Sequence, residues 1–87
     1  MAATRSEISK WFDEGILKGA KHMLVICDTY DYEDYPLYTT TDSECLAKHR
    51  FPGEMQRVME VYDLSSDKAI QMMQGRAMRL PTNLNHC

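Results

Sequence analysis

Hydrophobic positions change their period several times along the 87 residues, and each change marks an element. Thr4 followed by Glu7 has the form of a capping box, in which each side chain bonds the other residue's backbone amide. Behind it Ile8, Trp11, Phe12 and Ile16 recur at helical spacing, which predicts an amphipathic helix from about Ser6 to about Lys18 with Gly19 as its stop. Met1–Arg5 reads as a frayed terminus, and Gly15 as a weak point in the helix's last turn. The pattern then becomes continuous at Met23, Leu24, Val25, Ile26 and Cys27. Such a run predicts a central strand, Lys21–Asp28, covered on both faces: by the first helix on one side, and by a later helix or a second copy of the chain on the other. After a turn at Tyr30–Asp34, Tyr35–Thr40 forms a second strand, and Pro36, which lacks an amide donor, places it at the sheet edge.

Thr41 or Asp42 caps a short helix over Ser43–His49, which ends before Pro52 and Gly53. Gln56–Leu64 reads as a third strand, although its apolar residues fall on both parities, with Val58, Tyr62 and Leu64 against Met59 and Val61. Ser65 or Ser66 opens a last helix from Asp67 to about Met78 that buries Ile70, Met73 and Ala77, and Pro81–Cys87 is left as an exposed, flexible tail. The order α-β-β-α-β-α implies an α+β fold: a three-stranded antiparallel sheet in the order 2-1-3, with the helices packed on it.

Composition narrows the function classes. The length allows one small domain near the lower limit of a self-sufficient core, so self-association is expected to add stability. A net charge of -3 argues against generic binding of nucleic-acid backbone, which needs a basic field. No run approaches the roughly 20 apolar residues of a membrane span, and no secretory signal pattern opens the chain. Cys27, Cys45 and Cys87 lack a paired spacing, which suits reduced thiols and a cytoplasmic location.

The most unusual stretch is Asp28–Tyr35, where Asp28, Asp31, Glu33 and Asp34 crowd among Tyr30, Tyr32 and Tyr35. It reads either as a solvated hairpin whose tyrosines pack over the sheet edge or as a partner surface with tyrosines as amphipathic anchors. The acids lack the alternation and glycine of a calcium loop. Cys27 lies inside the apolar strand, where a thiol acts as a small hydrophobe, and the pairs Cys45/His49 and His86/Cys87 have no diagnostic metal spacing. No catalytic residue, metal or cofactor is therefore assigned. Arg50, Arg57, Arg76 and Arg79, with Lys48 and Lys68, make the C-terminal half basic, as either a phosphate pocket or ordinary solvated helix faces.

The pattern GAxHMLVICDTYDYEDYPLY over Gly19–Tyr38, with MQRVMEVYDLS over Met55–Ser65, resembles a family of small uncharacterised proteins of bacterial and phage genomes. The resemblance transfers no catalytic residue; it implies a setting among accessory proteins of mobile elements, often inhibitors or ligand traps aimed at host defence. The leading expectation is a non-enzymatic counter-defence sponge that sequesters an immune-signalling nucleotide at a homo-oligomer interface. In it Tyr30, Tyr32 and Tyr62 stack on the base while Arg57 and Arg76 hold phosphates. The alternatives are a protein-protein inhibitor of a host factor acting through the acidic loop, and a small metal-dependent hydrolase using the carboxylates.

Overall fold

The computed structural model describes residues 3–73 and 77–80. They form α1 (Arg5–Leu17), β1 (His22–Asp28), β2 (Glu33–Thr39), α2 (Asp42–Arg50), β3 (Gln56–Asp63) and α3 (Lys68–Met73). The capping box is complete: Thr4 Oγ1 accepts the Glu7 amide at 3.1 Å, and Glu7 Oε1 accepts the Thr4 amide at 3.0 Å. The expected frayed stretch is accordingly too long. Arg5 is already helical, and the Ala3 amide donates to Asp34 Oδ2 at 2.9 Å. At the other end of α1, Gly19 takes a positive φ of 77° and its amide closes on the Ile16 carbonyl.

The sheet is antiparallel in the order β2-β1-β3, so the apolar strand lies in the middle as expected. Met23 through Ile26 are no more than 1% exposed. Met23 and Val25 face α1, where Ile8, Phe12, Tyr62, Leu64 and Ala77 complete one core. Leu24 and Ile26 face the other way, against Cys45 of α2, Val61 and Leu80. The chain thus covers both flanks of β1 itself, and α2 fills the place for which a second copy was the alternative. Burial of Ile8 and Phe12 alone contributes about 1.5–3 kcal/mol each to holding α1 on the sheet.

The mixed parity of β3 has a local cause. Val25 pairs with Glu60 but Ile26 pairs with Val58, leaving Met59 as an extra residue, a β-bulge. Beyond it the faces exchange. Val58 therefore joins Val61 on the α2 side while Met59 joins Tyr62 on the α1 side, and every apolar residue finds a core.

The last helix departs from expectation. Over its described span, Lys68–Met73, Ile70 and Met73 are 54% and 85% exposed, and the residue turned inward is Gln71. Its amide is fully used: Oε1 accepts the Asp63 amide at 2.7 Å, and Nε2 donates to the Asp63 and Asp67 carbonyls at 2.8 and 3.2 Å. Ala77 is buried as expected, but in an extended segment rather than a helix. The Val61 amide bonds the Ala77 carbonyl, the Arg79 amide bonds the Val61 carbonyl, and Met78 makes a parallel bridge to Val61. The hydrogen bonds of β3's outer edge, unsatisfied in a three-stranded sheet, override the helical period of this stretch. The anticipated tail, Pro81–Cys87, lies outside the described residues.

Candidate functional site at the hairpin end of the sheet

β1 and β2 are joined by Thr29–Tyr32, with Asp28 paired to Glu33 across the mouth of the hairpin. The loop's backbone is pinned largely by its own acids. The Tyr30 amide donates to Asp28 Oδ1 at 2.8 Å, the Glu33 amide to Asp31 Oδ1 at 3.3 Å, and the Tyr32 amide to the Asp28 carbonyl at 2.6 Å. These are the side-chain-to-backbone bonds that suit aspartate to tight turns. Tyr32 completes the reversal in the left-handed region, with φ 60°.

A second loop reinforces the first. Between α2 and β3 the chain passes through Phe51–Met55, and the Met55 carbonyl accepts the Thr29 amide at 2.7 Å. The two loops together close one end of the molecule. Tyr30 and Tyr32, 78% and 66% exposed, stand there with exposed Met55 in the adjoining loop and exposed Phe51 at that loop's other end, and Asp31, Glu33 and Glu54 are also in solvent.

Not every candidate residue serves this surface in the same way. Tyr35, paired with Ile26, packs into the α2-side core; burial, then the charge of Asp28, pushes its hydroxyl above the ordinary value. It anchors the hairpin rather than presenting it. Asp34 is half-buried and tied to the Ala3 amide. Arg57 is exposed on β3 as the pairing partner of Cys27, so it flanks the acids on the α1 side. Tyr62 is not at this surface at all: it is fully buried in the α1-side core, edge-on to Phe12 at 6.1 Å between ring centres. Its hydroxyl donates to Glu60, which Arg5 Nη1 contacts at 3.3 Å, and burial followed by this bond raises its ionisation well above the ordinary tyrosine range. Arg76 lies outside the described residues.

The remaining chemistry is muted. Burial pushes the Cys27 thiol up, and the hydrogen bond and charge of Asp34 push it further against the opposing charge of Arg57, so the reactive thiolate is disfavoured. Cys45 is wholly buried, and desolvation lifts its thiol to about 11. Among the described residues no three His, Cys, Asp or Glu side chains are arranged to hold a metal ion. Nor do the expected basic residues converge: Lys68 Nζ is engaged by Asp13 at 2.9 Å, Arg79 lies on the far sheet edge, and Lys48 and Arg50 belong to α2.

Sequence reasoning missed Phe51, Glu54 and Met55. The signal was present, since apolar residues on both sides of Pro52-Gly53 would leave two large side chains on a surface loop, but the dipeptide reads first as a helix stop. Among the described residues no helix is long and apolar enough to cross a membrane. Compared with protein-family models, with curated proteins and with solved structures, the chain matches none.

Proposed function

We propose that the chain is a non-enzymatic binding protein that docks a cation-rich protein surface through its hairpin end. The observation that carries this reading is the pair of exposed tyrosines held on a backbone pinned by Asp28, Asp31 and Met55, with unburied carboxylates around them. Tyrosine supplies large contact area at low entropic cost, and the pinned loop lowers the ordering cost of association. The carboxylates favour lysine and arginine in the partner and speed encounter with it. A nucleotide sponge is less well supported. Of its stacking and phosphate groups, Tyr62 is in the core and Arg57 stands next to carboxylates that repel phosphate. In the counter-defence setting implied by the resemblance, the docked surface would belong to a host protein.

The test is titration of the intact chain with an arginine-rich peptide and with the same peptide carrying glutamates instead, followed by tyrosine fluorescence and calorimetry. Binding is expected to the basic peptide alone and to weaken with salt as charges are screened. Tyr30→Ala and Tyr32→Ala should each weaken it about 30-fold, the loss typical of a central aromatic anchor of about 2 kcal/mol. Asp31→Asn, which removes charge but keeps the oxygen that bonds the Glu33 amide, should also weaken it. Salt-insensitive binding, or binding unchanged by these substitutions, overturns the reading, as does heat release of a tightly held nucleotide from purified protein.

A further inference from the structure

We propose that a second copy of the chain pairs with the first by seating its hairpin tip in a depression at the C-terminal end of α2, and that this self-pairing covers the docking surface. The inference rests on the reading above, in that it takes the tyrosine tip to be a contact surface, and it adds an occupant and a form of regulation.

The depression measures about 740 Å³ and is lined by Leu46, Ala47, His49, Arg50 and Phe51. Its lining is mostly apolar, with Arg50 as the lining cation and Lys48 elsewhere on the same helix; Phe51 is 73% exposed, and Arg50 has no ion-pair partner among the described residues. A large ring left in water beside unpaired positive charge calls for a partner that is both aromatic and acidic. The hairpin tip has that composition, with Tyr30 and Tyr32 on either side of Asp31 and Glu33 following.

The chain's own tip does not fill the site. Its backbone is fixed by the bonds within the hairpin and to Met55, and both tyrosines stay exposed. Yet tip and depression lie at the same end of the molecule, because the segment from Phe51 to Met55 bridges them and spans at most ~18 Å. A two-fold axis through that end brings the tip of each copy to the depression of the other, so one contact is made twice. The opposed charges, Asp31 and Glu33 against Arg50, favour this arrangement over like against like. Two loop tips give a small interface, so the dimer forms at high concentration and dissociates on dilution. In the dimer Tyr30 and Tyr32 are covered; dilution or a competing basic partner frees them.

Sedimentation equilibrium of the full chain over a concentration and salt series tests this. Self-association is expected, weakening as salt rises. Arg50→Glu, an exposed helix-end change whose folding is checked by its thermal melt, should raise the dissociation constant about tenfold or more. Glu33→Arg in the Arg50→Glu background should restore dimerisation, since the side chain of Glu33 takes no part in pinning the hairpin. Arg50→Glu should also bind the arginine-rich peptide at least as tightly as the parent at high protein concentration. A monomer at every concentration, or a dimer indifferent to Arg50→Glu and to the charge swap, overturns the proposal, and if the peptide still binds, the docking reading survives it. A charge-swappable dimer that ignores the peptide overturns the docking reading alone.

Discussion

Gly15 decides how closely α1 approaches the sheet, and replacing it with alanine tests that packing by the sign of the effect. A side-chain β-carbon at this position would lie 2.7 Å from Leu64 Cδ1, 2.7 Å from Tyr38 Cε1 and 3.0 Å from Tyr38 Cδ1. Carbon atoms pack at about 3.5 Å or more, so two contacts are short by about 0.8 Å. Leu64 can yield at its methyl end. The Tyr38 ring cannot yield so readily, because its hydroxyl donates to the Trp11 carbonyl of the same helix at 2.8 Å. Overpacking of this kind costs about 1–3 kcal/mol, whereas glycine to alanine within a helix returns about 1 kcal/mol. A net loss of about 1 kcal/mol follows, a fall in melting temperature of about 4–8 °C for a chain of this size. Thermal unfolding followed by circular dichroism reads it directly. Repeating the change in a Tyr38→Leu background removes the ring and should recover most of the loss, which a double-mutant cycle quantifies. A Gly15→Ala protein that melts higher than its parent would refute the close approach, since that is how an uncrowded helical glycine behaves.

Gln71→Leu keeps the volume but strands the Asp63 amide and carbonyl, and a loss of about 3 kcal/mol is expected in urea unfolding. Tyr62→Phe should lower stability by about 2 kcal/mol by removing the bond to Glu60 and leave peptide binding unchanged; a binding defect would return Tyr62 to the recognition surface. At Asp63 burial opposes ionisation, but bonds from the Ser65 hydroxyl and amide and the Ser66 hydroxyl, with the field of His22, outweigh it and hold the carboxyl below its ordinary value. Its contribution to stability is therefore present above the ordinary carboxylate pKa of about 3.9 and is lost as pH falls through the lower folded value. The stability gap between the parent and Asp63→Asn should accordingly narrow on acidification, and a gap independent of pH would count against this.

What could be read from the sequence were features determined locally. The capping box at Thr4, the uninterrupted apolar run of β1 and the proline of an edge strand each act through neighbouring residues, and each appears in the fold as expected. The acidic hairpin was legible as a unit for the same reason. The misses all depend on a distant partner. Gly15 looks like a helix defect until Tyr38 and Leu64 are placed against it. Met59 looks like a parity error until β1 is laid alongside and the extra residue becomes a bulge. Gln71 looks like a surface residue, and Ile70 and Met73 like core, until the free backbone groups of Asp63 claim the amide. In that last case satisfying buried backbone groups outranked burying two apolar side chains, consistent with the larger cost of an orphaned buried amide.

The same distinction separates the acids of the hairpin by what they do. Asp28 and Asp31 each give an oxygen to a backbone amide of the loop, and Asp34 ties β2 to the segment before α1. These bonds allow four carboxylates to share one short hairpin in a fixed shape. Alanine at Asp28 or Asp31 therefore alters the loop together with its charge, and a binding defect from it cannot be assigned to electrostatics. Glu33 and Tyr30 project from the structure that the aspartates make, and their side chains take no part in those bonds. On the docking proposal, substitutions at these two positions therefore change partner binding with small effect on folding. On that proposal, recognition by the 87-residue chain is separable from its stability, provided that the aspartates and Met55 continue to hold the tip in place.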